Sequence, residues 1–326
     1  MIKVAVLDDW QGVARESSDW SKLQQRAQVD FFEQPLGGVD ASAQALAEFD
    51  VIMAMRERTA FPAALIAKLP KLCMIAVTGS HTATLDLEAC TVHGIVVCNT
   101  GGEKSGAATA EIALGLLLCA ARFMPSADAA VRAGRFQSGI PAGIVLEGKT
   151  LGIIGLGRIG SRMARLGQAL GMSVLAWSQN LTAEKAQVAG AKLVDKPTLL
   201  AECDAVSLHL VLSDRTHGIL GAQDLARMRH GAILINTSRG PLVDEAALIE
   251  SLRSGHLRAG LDVYAQEPLP ADHPLRGFPN VVLTPHLGYC TREIYGQFYG
   301  ESIENVLAFL DAKPMRVLNP AALHSE

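Results

Sequence analysis

An arginine, a glutamate and a histidine occur in the order Arg239, Glu267, His286, with intervals of 28 and 19 residues. Arg239 lies in LINTSRGPLVDE, directly after an apolar run that reads as a β-strand. Glu267 lies in LDVYAQEP, behind a strand run that includes Asp262, and His286 ends the last such run in LTPHLGY. In an open α/β sheet, ligands collect at the carboxyl ends of the strands. A guanidinium, a carboxylate and an imidazole gathered there suit the reduction of a 2-oxo acid. Hydride attack on the carbonyl carbon leaves negative charge on the oxygen, which must be protonated. His286 can donate that proton. Glu267, bonded to the other ring nitrogen, would orient the ring and favour its protonated form. Arg239 can pair with the substrate carboxylate and polarise the carbonyl. Taken singly, each has a plainer reading: a loop charge, a solvated turn residue, a satisfied core histidine. Their joint placement at strand ends, behind a glycine turn, favours chemistry.

That turn is LGIIGLGRIGSRMARL, residues 151–166, with Gly155, Gly157 and Gly160 in GxGxxG spacing. An apolar strand precedes it and a helix follows, the context in which the spacing binds a dinucleotide. Gly155 permits a tight turn, Gly157 lets the backbone approach a pyrophosphate, and Gly160 lets helix and strand pack closely. The leading N–H groups of the helix would face the phosphates. Arg158 and Ile159 lie inside the turn; Arg158 can reach a phosphate or stand as an exposed surface charge. The next strand, VLAWSQN, ends in Ser178, Gln179 and Asn180. A dinucleotide fold usually places Asp or Glu there, on the adenosine ribose. The expected cofactor is therefore NAD or NADP with weak discrimination between them, NADP(H) being accepted.

Three strand ends can meet only on a sheet, and the chain alternates short β-rich runs with helical patterns throughout. Strands are expected at Lys3–Leu7, Val29–Phe32, Val51–Met55, Met74–Val77 and Val96–Cys98, with a second set from Leu151 to Pro285. A long apolar helix is expected from about Gly106 to Phe123, followed by a polar stretch, Ser126–Lys149, without clear periodicity. The closing segment, a helical run and then PMRVLNP, has no sheet of its own and is expected to return to the first domain. The fold class is α/β with two open parallel-sheet domains. A Rossmann dinucleotide-binding domain, residues 101–287, is inserted in a flavodoxin-like substrate domain, residues 1–100 plus 288–326.

Composition agrees with a globular chain: 326 residues, 49% hydrophobic and 19% charged. A net charge of −4 gives no electrostatic reason to bind nucleic acid or an anionic membrane. The longest apolar run, Ile112–Ala121, is too short to span a bilayer. MIKVAVLDD runs straight into a strand, so no signal peptide and a cytoplasmic location are expected. No two of the six cysteines form a CxxC, and no metal site is expected among cysteines and histidines.

GLGRIG, NTSRG, LDVYAQEP and TPHLGY, in this order, resemble the D-isomer-specific 2-hydroxyacid dehydrogenases. The resemblance extends over nearly the whole chain, through MRERT near the third strand and VLNP near the end. It implies that Arg239 carries the substrate, that Glu267 and His286 are the acid–base pair, and that Asp262 reaches the nicotinamide carboxamide. By the same resemblance Thr237 and Ser238 line the nicotinamide side, and Thr109, in ATAEIA, is a cofactor contact near the hinge. SLHLVLSDRT resembles a family segment in which Val211 replaces a proline; His209 there is a cofactor-wall residue or, equally, a buried structural histidine. The loop VTGSHTATLDLEA resembles one whose N–H groups hold the substrate carboxylate, which makes Gly79, Ser80 and His81 substrate candidates. Its form departs from that of the phosphoglycerate-type enzymes. Arg56 and Arg58 are further carboxylate candidates or an exposed pair. Glu267 stands where formate-oxidising members resemble Gln. The family implies a homodimer acting on a small 2-oxo or 2-hydroxy acid; a dinucleotide-sensing corepressor on the same fold is the alternative.

Overall fold

The computed structural model describes residues 1–79, 84–102 and 106–324. Ser80 and His81 lie outside the described residues. The chain divides into two compact units, Met1–Lys104 with Thr291–Glu326, and Ser105–Cys290.

The first unit holds five parallel strands: β1 (Ile2–Val6), β2 (Ala27–Phe31), β3 (Val51–Ala54), β4 (Met74–Val77) and β5 (Val96–Asn99). Their order, β2-β1-β3-β4-β5, is the flavodoxin-like one. VIMA and MIAV, in β3 and β4, are buried at every position. A parallel sheet covered on both faces requires such unbroken apolar runs.

The closing segment belongs to this unit and covers the open edge of β5. Val317 bridges Cys98 in antiparallel fashion, and the Leu318 N–H donates to the Val97 carbonyl at 2.8 Å. Asn319 is buried and acts as a piece of backbone. Its Oδ1 accepts from the Val97 N–H at 2.8 Å, while Nδ2 donates to the Ile95 carbonyl at 2.9 Å and to the Thr91 hydroxyl at 3.1 Å. An uncovered edge would present unpaired donors and acceptors to other chains.

The second unit holds β6 (Thr150–Ile154), β7 (Ser173–Trp177), β8 (Lys192–Leu193), β9 (Ala205–Leu208), β10 (Ala232–Asn236), β11 (Leu257–Leu261) and β12 (Val281–Leu283), all parallel. Their order is β12-β11-β10-β9-β6-β7-β8. Counted from β6, this is the doubly wound 3-2-1-4-5-6 order with β12 added outside. Side chains alternate between two cores. Ile233 and Ile235 face the long helix Ala107–Arg122 through Leu116 and Leu117, and Leu234 faces the opposite layer with Leu199 and Leu248.

One expectation is corrected. The stretch from Ser126 is helical at its start: a helix spans Met124–Arg132, with a proline in its first turn where the missing N–H is not needed. Phe123, at φ 52°, turns the chain by the left-handed conformation between this helix and the long one before it. The strand β8 is two residues long, too short to leave a period-two pattern. Among the described residues, no single helix is long and apolar enough to cross a membrane.

Asn319→Ala leaves the Val97 N–H and the Ile95 carbonyl without their buried partner. It should destabilise the first unit by about 2 kcal/mol, read as a lower urea midpoint with unchanged slope.

Candidate active site

Strand order reverses between the neighbours β6 and β9, and the glycine turn follows β6 at that point. Gly155 has φ +98°, and a Cβ there would stand 2.6 Å from the His209 carbonyl oxygen. At Gly160 a Cβ would collide with the carbonyl of Gly155, whereas at Gly157 it would meet nothing within 4 Å. The helix Arg158–Ala169 starts at Gly157 with no side-chain cap on its leading N–H groups. Arg158 is exposed, and Ile159 packs where a Cβ on Gly106 would fall. Ser178 follows β7 directly and is half-buried, its carbonyl accepting from the Leu181 N–H.

At the ends of β9 and β10, two buried polar atoms have no hydrogen-bond partner among the described residues: His209 Nδ1 and Thr237 Oγ1. The other His209 nitrogen meets the Ser207 hydroxyl at 2.9 Å, and burial pushes the imidazole pKa down to about 4, so the ring is neutral. Ser238 donates its hydroxyl to the Leu208 carbonyl at 2.8 Å. The residues fit a dinucleotide: an open side at Gly157, an uncapped helix start and two unsatisfied polar atoms at neighbouring strand ends.

The three reactive side chains stand on β10, β11 and β12 or just beyond them. His286 Nδ1 and Glu267 Oε2 are 2.6 Å apart, and Glu267 Oε1 accepts from the Tyr264 N–H at 2.9 Å. Burial alone would raise the Glu267 pKa. The bond and charge of His286, the Tyr264 N–H and the Arg239 guanidinium outweigh it, and the carboxyl lies below its ordinary 4.5. Glu267 is therefore ionised at neutral pH, and its hold on His286 is lost only as pH falls below that value. Arg239 follows β10 in extended backbone and donates to the Ser238 carbonyl at 2.8 Å. Asn236 fixes this turn: its amide donates to the Arg239 carbonyl at 2.8 Å and accepts from the Ser238 N–H at 3.0 Å. Gly240 lies against the backbone of Tyr264 and Ala265 with no room for a Cβ. The arginine and glutamate segments are thereby in contact.

Asp262 lies just beyond β11 and is 0% exposed. Its Oδ1 accepts from the Thr284 hydroxyl at 2.6 Å and the Leu287 N–H at 2.7 Å, and its Oδ2 from the Gly288 N–H at 2.8 Å. Burial raises its pKa despite these donors and the nearby His286. Thr109, on the long helix, donates to the Gly288 carbonyl at 3.0 Å. Asn236, Tyr264 and Thr284 carry hydrogen bonds that sequence reasoning did not anticipate; each stood inside a quoted motif, but only the backbone path shows its partner.

The remaining candidates lie in the first unit. Arg56, at φ 54°, donates its N–H to the Thr78 hydroxyl at 2.9 Å, and its guanidinium lies over Gly79. The Gly79 N–H donates to the Thr100 hydroxyl at 2.8 Å, so it is occupied and does not offer itself to a carboxylate. Arg58 donates to the Asp8 carbonyl at 2.7 Å and stacks over Trp10 at 4.4 Å. Among the described residues, no group of three or more His, Cys, Asp or Glu is placed to hold a metal ion.

Residues 114–288 match the family model described as D-isomer specific 2-hydroxyacid dehydrogenase, NAD binding domain. A D-3-phosphoglycerate dehydrogenase of Archaeoglobus fulgidus is 40% identical over 275 residues, 83% of this chain. The chain spans about half that relative's length, 51%. A glyoxylate reductase of Aeropyrum pernix is 40% identical over 264 residues, 78% of each chain. The crystal structure of a phosphoglycerate oxidoreductase from Vibrio cholerae superposes with a TM-score of 0.91 at 36% identity, covering 96% of this chain and 100% of that one.

The open side of Gly157 separates folding from binding. Gly157→Ala should leave stability within about 0.5 kcal/mol, since its Cβ meets nothing. NADH affinity should fall at least tenfold, because the methyl occupies the path of the pyrophosphate. A thermal melt and a fluorescence titration with NADH check the two halves.

Proposed function

The chain belongs to the D-isomer-specific 2-hydroxyacid dehydrogenase family, and on that premise we propose that it is an NAD(P)-dependent oxidoreductase interconverting a small 2-oxo acid and its D-2-hydroxy acid. The His286–Glu267 pair at 2.6 Å, with Arg239 close enough to act on the same carboxylate, carries the proposal. A bound nicotinamide dinucleotide supplies or accepts the hydride. His286 protonates the carbonyl oxygen during reduction and takes the proton back during oxidation. Glu267 holds Nδ1, which leaves Nε2 to face the reacting oxygen and stabilises the imidazolium. Arg239 binds the substrate carboxylate and draws charge onto the carbonyl oxygen; its planar fork suits a carboxylate better than an ammonium would. Thr237 and His209, with their unpartnered buried atoms, line the nicotinamide side, and Gly155 to Gly160 hold the pyrophosphate.

Glyoxylate and hydroxypyruvate are the substrates to try first, given the small-acid chemistry and the glyoxylate reductase relative. Arg56 belongs to the proposal as a substrate contact, with Ser80 and His81 of the loop after Gly79. A homodimer, carried by the family resemblance, and a cytoplasmic location are also part of it. The alternative, a dinucleotide-sensing corepressor, has no support among the similar proteins named above.

His286→Asn should leave NADH binding nearly intact and lower turnover by about 10²–10⁴-fold. Glu267→Gln should shift the pH dependence of reduction to lower pH, because the imidazolium loses its stabilising charge. Steady-state kinetics across pH with a panel of 2-oxo acids tests both, and full turnover by His286→Asn removes the acid–base assignment.

Ser178 generates a separate prediction about the cofactor. With no carboxylate from Ser178 to Asn180, nothing there repels a 2′-phosphate, and NADPH should serve alongside NADH. Ser178→Asp should move preference towards NADH by about 1–3 kcal/mol, through a new charged hydrogen bond and a repulsion. Kinetics with both cofactors on both proteins gives the answer; a native preference for NADH of that size would mean another group reads the ribose.

A further inference from the structure

His286 has φ +56°, a left-handed backbone that costs a side-chain-bearing residue roughly 1–2 kcal/mol. Such a conformation persists only when its surroundings over-determine it. The turn is held on both sides. Upstream, the Thr284 carbonyl accepts from the His286 N–H at 3.1 Å and from the Tyr264 hydroxyl at 2.8 Å, while the Thr284 hydroxyl is bound to Asp262. Downstream, Asp262 takes the Leu287 and Gly288 N–H groups, and Thr109 takes the Gly288 carbonyl.

Asp262 and Tyr264 both stand on the segment that leads to Glu267. They fix the turn relative to one partner of the acid–base pair. Thr109 comes from elsewhere, the third residue of the helix Ala107–Arg122. That helix is itself seated on β11: a Cβ on Gly260 would stand 2.8 Å from Leu116 Cβ. A Cβ on Gly288 would lie 3.5 Å from both Thr109 Oγ1 and Cγ2, so hydroxyl and methyl are both in ordinary contact distance of this position. The bond from Thr109 adds a constraint from an independent element to the four that the Asp262–Tyr264 segment supplies.

We propose that Thr109 is a positioning residue for His286: its hydroxyl, spent on the Gly288 carbonyl, sets the aim of the imidazole and does not serve as a cofactor contact. The proposal rests on the reading of His286 as proton donor. It corrects the role that resemblance alone gives Thr109. A small misplacement of a reacting group is costly in rate and leaves cofactor affinity alone, so the two roles differ in what they move.

Thr109→Val keeps the shape and removes the donor. In the full chain, with glyoxylate and NADH as probes, kcat should fall about tenfold, the worth of one hydrogen bond at the reacting centre. The NADH dissociation constant, by fluorescence, should change less than twofold. Thr109→Ser, which keeps the donor, should recover most of the rate. In a His286→Asn background, Thr109→Val should cause no further loss. Thr109→Ala, which cannot clash, should repeat the pattern and serves if the valine disturbs folding in a thermal melt. Weakened NADH binding with unchanged kcat would overturn the proposal and restore a cofactor contact. So would an equal tenfold loss in the His286→Asn background. A wild-type rate in Thr109→Val beside a crippled His286→Asn sinks this inference alone; a full rate in His286→Asn sinks the functional reading and this inference together.

Discussion

A carboxylate taken wholly out of water must be met by donors, and the geometry around Asp262 follows from that requirement. The Asp262 N–H continues the sheet by donating to the Asn236 carbonyl, which fixes where the carboxylate begins. Its two oxygens then collect a hydroxyl and two backbone N–H groups from residues 284–288. Those groups can be satisfied together only if the chain turns sharply between them, and His286 stands at the turn. The burial of one side chain thus determines the shape of a segment more than twenty positions away. No fourth reactive group is needed in that role, only an acceptor that cannot reach solvent.

The sheets were readable because parallel strands covered on both faces are written as apolar runs, such as VIMA and MIAV, with little else able to produce them. That Arg239, Glu267 and His286 each follow a strand was readable from residue type and from position after such runs. What lay beyond reading is mostly backbone. Gly79 looked like a donor awaiting a carboxylate, yet its N–H is spent on Thr100, a residue on another strand end. Thr109 looked like a cofactor contact because its neighbours resembled one, and the Gly288 carbonyl that takes its hydroxyl lies 179 positions on. The helix Met124–Arg132 was missed because Ala, Ser and Asp give weak periodicity, and its start depends on one left-handed residue, Phe123.

Among the described residues, buried polar atoms without partners stand at the ends of β9 and β10, where the proposal seats the nicotinamide. His209 has one nitrogen on Ser207 and one facing nothing, and enclosure keeps the ring uncharged. A neutral wall suits a ring that gains and loses charge as hydride moves, since a fixed cation there would favour one redox state over the other. Arg239 supplies positive charge where a carboxylate is expected, and His209 withholds it where the nicotinamide is expected.

The first unit is assembled from two segments far apart in sequence, and this has a cost in time during synthesis. Its five strands emerge from the ribosome before residue 105, and the segment that covers β5 begins only at Thr291. The intervening 186 residues, 105 to 290, take roughly ten to forty seconds to translate. Through that interval Val97 and its neighbours form an open edge in a crowded cell, while the second unit, continuous in sequence, is free to fold as it appears. The nascent chain is most exposed to mispairing at an edge that the finished protein never shows. Its protection depends on Val317, Leu318 and Asn319, which are made long after β5.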